Sequence, residues 1–127
     1  MAEVAYTRVD NAPTWGLYEW SGATNSGSPD TFTALKLDRT PYSLTVQAVD
    51  ADAGGAFTGN TPAIALHGSL DGTNYFALSD TQGTAISLTA NGLSSVGIPA
   101  LHVKPVLTGG DAGTDIAVRL LARHDNV

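Results

Sequence analysis

Cysteine is absent from the 127 residues, which removes disulfide cross-links, thiolate nucleophiles and cysteine-ligated zinc from consideration. Charge is scarce as well. Charged residues make up 14% of the chain, against roughly 25% in an ordinary soluble domain, so much of the surface must be Thr, Ser, Asn, Gly and Ala, a composition suited to close protein contact. The six basic residues, Arg8, Lys36, Arg39, Lys104, Arg119 and Arg123, never form a run, and the formal net charge is -6. Binding to a phosphate backbone rests on clustered Lys and Arg, so no nucleic-acid partner is expected. No segment approaches the ~18 consecutive apolar residues of a membrane-spanning helix. The opening MAEVAYTRVDNAPTW also lacks the basic-then-apolar order of an export signal. The chain is expected to be soluble, not Sec-exported, made in a cytoplasm and without a membrane partner.

Helical periodicity is nearly missing, whereas 14 glycines and 6 prolines punctuate the chain at short intervals, the rhythm of an all-β sandwich or barrel. Candidate strands cover residues 14–20, 32–37, 42–49, 63–70, 75–78, 85–88, 101–108 and 115–123. A chain of this length can bury a core without metal or disulfide. The expected architecture is an all-β, antiparallel β-sandwich, jelly-roll-like, of about eight strands over residues 14–127. It is preceded by an extended N-terminal arm, residues 1–13, in which no alternation is visible. Apolar residues two apart mark the faces turned to the core: Ile64 and Leu66 with Leu70, Leu101 and Val103 with Leu107, Ile116 and Val118 with Leu120, and Tyr42 and Leu44 with Val46 and Ala48. Pro105 cannot donate to a ladder, which places it at an edge or a bulge. Polar stretches over residues 21–30, 50–62 and 91–99 read as loops, the last with room for a short 3₁₀ turn.

The chemistry-bearing residues select no reaction. Asp50-Ala51-Asp52-Ala53-Gly54-Gly55 resembles the start of a calcium loop, but the twelfth position, where a bidentate glutamate belongs, is Thr61, so a solvated turn is the favoured reading. His67, His102 and His124 stand far apart in no ligand-spaced motif. No Gly-x-Ser-x-Gly occurs, and nothing singles out a carboxylate pair among twelve acids. No catalytic, cofactor-binding or metal-binding residue is assigned. In Trp15-Gly16-Leu17-Tyr18-Glu19-Trp20 both faces of the strand carry apolar mass. Such a strand is core, a partner contact or a sugar-stacking platform. The arm leads straight into it. Val4, Tyr6 and Val9 are therefore the expected anchors on a neighbouring subunit or a larger particle, with Tyr18 and Trp20 as further interface candidates. Should the arm instead be an intramolecular strand, the contact surface is to be sought on the loops 21–30, 50–62 and 108–114.

The strongest turn cluster is Asp71-Gly72-Thr73-Asn74 within HGSLDGTNYFAL. Glycine tolerates positive φ, and Asp and Asn bond back to their own backbone, so the stretch reads as a hairpin tip with a structural role first. The run IALHGSLDGTNYFAL followed by ALHVKPVLTGGDAGTDIAVRLLAR resembles the C-terminal half of small β-sandwich virion proteins of tailed bacteriophages. In these, a Gly-Ser-x-Asp-Gly-x-Asn-aromatic hairpin precedes a strand ending near a Gly-Gly loop and a final alternating strand. The likeness spans residues 63–123, and the short, acidic, cysteine-free chain is similar to capsid decoration, or cement, proteins. That resemblance implies a non-enzymatic virion structural protein on the outer capsid surface, made in the host cytoplasm. Its implied partners are the major capsid protein and itself, as a homodimer or homotrimer, and it implies no cofactor. The Ser-x-Asp-Gly-x-Asn-aromatic string also resembles a hairpin of discoidin-like carbohydrate-binding modules, where tryptophan usually stands in place of Tyr75. This implies the alternative, a carbohydrate-binding module of a phage tail or fibre.

Overall fold

The computed structural model describes residues 2–12, 14–37, 41–50 and 57–124. They form twelve strands and no helix. In chain order these are β1 (Glu3–Val4), β2 (Tyr6–Ala12), β3 (Trp15–Ala23), β4 (Thr31–Phe32), β5 (Leu35–Lys36) and β6 (Ser43–Asp50). They continue with β7 (Ala63–Ser69), β8 (Phe76–Ala77), β9 (Ser87–Leu88), β10 (Gly92–Ser95), β11 (His102–Thr108) and β12 (Ile116–Arg123). The long strands are those in which buried and half-buried positions alternate, as the two-residue period of a strand requires.

Pairing gathers the strands into two main sheets. The first runs β10-β6-β12-β3-β2 and is antiparallel throughout. The second runs β5-β11-β7-β8, also antiparallel, with β9 pairing the start of β7 where β8 has ended. A short parallel pair, β1 with β4, joins neither ladder but lies against both sheets, with Phe32 of β4 in the core edge-on to Trp20. The inward side chains of the two sheets meet in one buried cluster. Tyr18, Trp20, Val46, Val118 and Leu120 come from the first sheet, and Leu35, Ile64, Leu66, Val103 and Leu107 from the second. Each fully buried Leu, Val or Ile in it stabilises the fold by about 1.5–3 kcal/mol. Trp20 is wholly buried and keeps its indole satisfied by donating Nε1–H to the Thr33 carbonyl at 2.9 Å.

Ile64, Leu66, Val103, Ile116, Val118 and Leu120 are fully buried, and Leu101 packs against the cluster from its margin. Tyr42 departs from its face: it precedes β6 and is exposed, with the Arg123 guanidinium carbon 5.9 Å from its ring centroid. Pro105 sits in β11 opposite Leu66 of β7. The bond from Leu37 N–H to the Leu101 carbonyl shows that odd-numbered residues of β11 turn their main-chain groups towards β5. Pairing with β5 covers only His102 and Val103, so the missing N–H of Pro105 falls on a flank where the partner strand has ended.

Three segments differ from expectation. Residues 6–12 are not an arm but β2, an edge strand pairing antiparallel with β3 from Tyr6↔Trp20 to Ala12↔Trp15. The register shifts between Arg8 and Asp10, leaving Val9 as an extra residue. Such a bulge breaks the two-residue period by which a strand is recognised in sequence. The polar stretch 91–99 contains β10, which pairs with β6 along the sheet edge, where a strand needs hydrogen bonds on one side only and no apolar period. Residues 32–37 divide into β4 and β5, which pair with different partners. With β1 and β2 these account for twelve strands in place of about eight.

Candidate functional site

β7 and β11 run side by side and end in two unlike regions, roughly 20 Å apart at about 3.4 Å per residue. At the first, where β7 begins and β11 ends, the loops 24–30, 57–61 and 109–114 are bonded to one another. Asn25 donates Nδ2–H to the Gly109 carbonyl at 2.9 Å, and its N–H to the Asp111 carbonyl at 3.2 Å. Gly110 N–H donates to the Asn60 carbonyl at 2.7 Å. Thr114, almost wholly buried, donates Oγ1–H to the Thr58 carbonyl at 3.1 Å and accepts the Asp111 N–H at 3.0 Å. Asp50, also buried, accepts the Thr58 N–H at 2.6 Å and its hydroxyl at 2.8 Å. Asp30 accepts the N–H groups of Ala2 and Thr24, both at 3.1 Å. The three loops named in the sequence as fallback contact surfaces therefore lie together, with their buried carboxylates engaged. Residues 51–56, which include Asp52 of the calcium-like stretch, lie outside the described residues. Among the described residues no group of three or more His, Asp or Glu is placed to hold a metal.

At the other end β7 turns into β8 through Asp71-Gly72-Thr73-Asn74. The Asp71 carboxylate is the hub. Oδ1 accepts the Ser69 hydroxyl and the N–H groups of Thr73 and Asn74, each at 2.8 Å, and Oδ2 accepts the Asn74 side-chain N–H, also at 2.8 Å. Ser69 Oγ accepts in turn from the N–H of Gly72 at 2.9 Å and of Asp71 at 3.2 Å. The N–H bonds from Asn74 and Thr73 hold the Asp71 carboxyl far below the usual carboxylate range. Gly72 has φ 78°, and a Cβ there would lie 3.0 Å from His102 Cε1, so both backbone and space ask for glycine. The polar groups of the tip serve the turn itself.

Beside that turn lies an open groove of ≈ 900 Å³, walled by Leu70, Phe76, Leu78, Ile98 and Pro99 with Gly68 at its base. Leu70 is 75% exposed, Phe76 71% and Ile98 81%. Phe76 lies opposite Gly68, on the core-facing side of its sheet, yet its ring remains in solvent. A Cβ on Gly68 would lie 2.8 Å from Ala100 Cβ and 2.9 Å from Leu78 Cδ1, so the close approach of these residues shapes the base. Ser79, Asp80 and Thr81 give the groove a polar rim. Asp80 Oδ1 accepts the N–H groups of Gln82 at 2.9 Å and Thr84 at 3.1 Å, which fixes that rim.

The residues singled out in the sequence lie elsewhere. β2–β3 pairing brings Tyr6, Tyr18 and Trp20 together, with ring centroids 6.2 Å apart for Tyr6–Tyr18 and 5.9 Å for Tyr6–Trp20. Tyr18 and Trp20 belong to the core, Val4 packs against its margin, and Tyr6 and Val9 keep exposed surface on the edge strand. Sequence reasoning put Leu70 on the core face of its strand and passed over Phe76 and Ile98. The available signal was the apolar residues flanking the turn, Leu70 before it and Phe76 after it, because β7 stops at Ser69 once Ser69 and Asp71 bond. No protein-family model, no curated protein and no solved structure matches the chain.

Proposed function

We propose that this chain is a non-enzymatic virion structural protein that binds the outside of a phage capsid and stabilises it by bridging capsomers, a decoration or cement protein. The observation that carries the reading is the groove in which Leu70, Phe76 and Ile98 stand in solvent. Contiguous apolar surface of this kind marks an interaction site, and the fully buried centre of an interface is apolar and poor in charge. Such a protein needs no reacting group. It binds assembled capsomers better than free ones, so its binding free energy adds to the stability of the shell. The major capsid protein is the partner, and a homodimer or homotrimer multiplies each contact through effective concentration.

The pairing order supports a jelly roll within this reading. With β3, β5, β6, β7, β8, β10, β11 and β12 taken as strands 1 to 8, the first sheet reads 6-3-8-1 before β2 and the second 2-7-4-5. That is the order of two interleaved Greek keys, an architecture used by capsid and lectin domains alike. The exposed Phe76 ring beside Ser79, Asp80 and Thr81 favours one second reading, a carbohydrate-binding module of a tail or fibre, in which the ring stacks on a sugar. Gradient sedimentation of particles from the phage that carries the gene separates the two. Many copies per head, lost on Phe76→Ser, are expected. A few copies at the tail, with glycan-array binding, would replace the capsid reading by the sugar one.

A further inference from the structure

The acids of this chain are divided unevenly between its two main sheets, while three arginines, Arg8, Arg119 and Arg123, lie in the first. β5, β7, β8, β9 and β11 contain no aspartate or glutamate, whereas β2, β3 and β6 carry Asp10, Glu19 and Asp50. Both lysines of the chain, Lys36 and Lys104, and two of its three histidines, His67 and His102, lie in the second sheet. Register places these four together. His102 stands opposite Lys36 on β5, Lys104 stands opposite His67 on β7, and His102 and Lys104, two apart on β11, share a side. Leu35, Leu66 and Val103, their neighbours in sequence, face the core, so all four face outward.

Like charges directly opposite one another across a ladder are destabilising, so Lys104 opposite His67 disfavours a second charge there. Local contacts relieve part of the cost. The Lys104 ammonium rests 4.3 Å from the Tyr75 ring centroid, and burial, followed by the charge of Lys104, holds His67 towards its neutral form. Among the described residues the acid nearest along the chain, Asp71, is engaged in its own turn; Asp38, two positions after Lys36, lies outside the described residues.

We propose that the outer face of the second sheet is a docking surface for an acidic protein surface, whose carboxylates meet the ammonium groups of Lys36 and Lys104, with the imidazoles of His102 and His67 beside them. Charge complementarity is the argument. On a chain of net charge -6 this face, whose described strands carry both lysines and no acid, is where an acidic partner is attracted. A protein is favoured over a polyphosphate. The lysines and histidines are interleaved with Ala63, Ala65 and Val106, apolar residues that a flat protein surface can cover, and arginine, the residue suited to bidentate phosphate recognition, does not occur in these strands. The inference stands independently of the groove and of any capsid.

The test uses the full chain on immobilised poly-L-glutamate, with duplex DNA as a second matrix and salt as the variable. Retention on polyglutamate that falls as salt rises is expected, weakened about tenfold by Lys36→Glu. Arg119→Glu, on the other sheet and matched in net charge, and Phe76→Ser, in the groove, are expected to leave retention unchanged. Thermal melts establish that each variant is folded. Lys104→Gln, which removes charge without reversing it, gives a second reading of the same face. Absence of retention, equal loss in the Lys36 and Arg119 variants, or stronger retention on DNA at matched salt would each overturn the proposal.

Discussion

The two ends of β7 show what polar saturation does to a surface. Where the strand begins, Asp50, Thr58, Asp111 and Thr114 bond with one another and with backbone groups, closing three loops into one layer. Where it ends, the Asp71 turn is just as fully bonded, but beside it Leu70, Phe76 and Ile98 touch little of their own chain. Buried polar groups with all partners in place hold a structure in one form. Apolar side chains left in solvent contribute nothing to that and are free to be covered. The first end belongs to stability, and the second is the one to which the proposed function assigns recognition.

Substitutions can break that contrast, and the largest effect on stability is expected at the closed end. Asp50→Ala removes the acceptor of the Thr58 N–H and hydroxyl in a buried place, so a loss of about 3 kcal/mol is expected in urea denaturation. Gly72→Val forces a β-branched residue to φ 78° and against His102. It should cost about 2 kcal/mol by the same measurement, before any change in binding. His67 supplies a smaller, pH-dependent effect. Its folded pKa lies below 6.5 through burial and Lys104, so the unfolded chain takes up the proton first. Its contribution is present above pH 6.5 and is lost as pH falls through the folded value. Melting curves of wild type and His67→Gln should therefore diverge below pH 6.5 and run parallel above it. The smallest effect on stability is expected at Phe76→Ser, within about 0.5 kcal/mol, although head association should fall away. A melting temperature that drops as far as that of the Asp50 variant would show that the groove is part of the core.

Legibility in the sequence followed the same division. β6, β7, β11 and β12 were readable because both sheets bury one side of them, leaving an uninterrupted alternation. β2 and β10 were not: the first is offset by the bulge at Val9, and the second is a Gly-Ser edge strand with little to bury. The turn at Asp71 was legible because its bonding partners lie within five residues of one another. The groove was hidden by an accident of parity, since Leu70 continues the core pattern of Ile64 and Leu66 one step past the end of the strand. The cationic face was hidden for another reason, as Lys36 and His102 meet only through a register that no local pattern encodes.

The bulge at Val9 bears on how copies of this protein behave when crowded. A bare strand edge is a template on which another strand can zip, and copies held side by side are well placed to grow into fibres. On β2 the extra residue throws the outward N–H and C=O groups out of step, so a regular foreign strand loses its register after a few residues. This irregularity, which costs the molecule some pairing, makes β2 a poor template for the growth of a fibre.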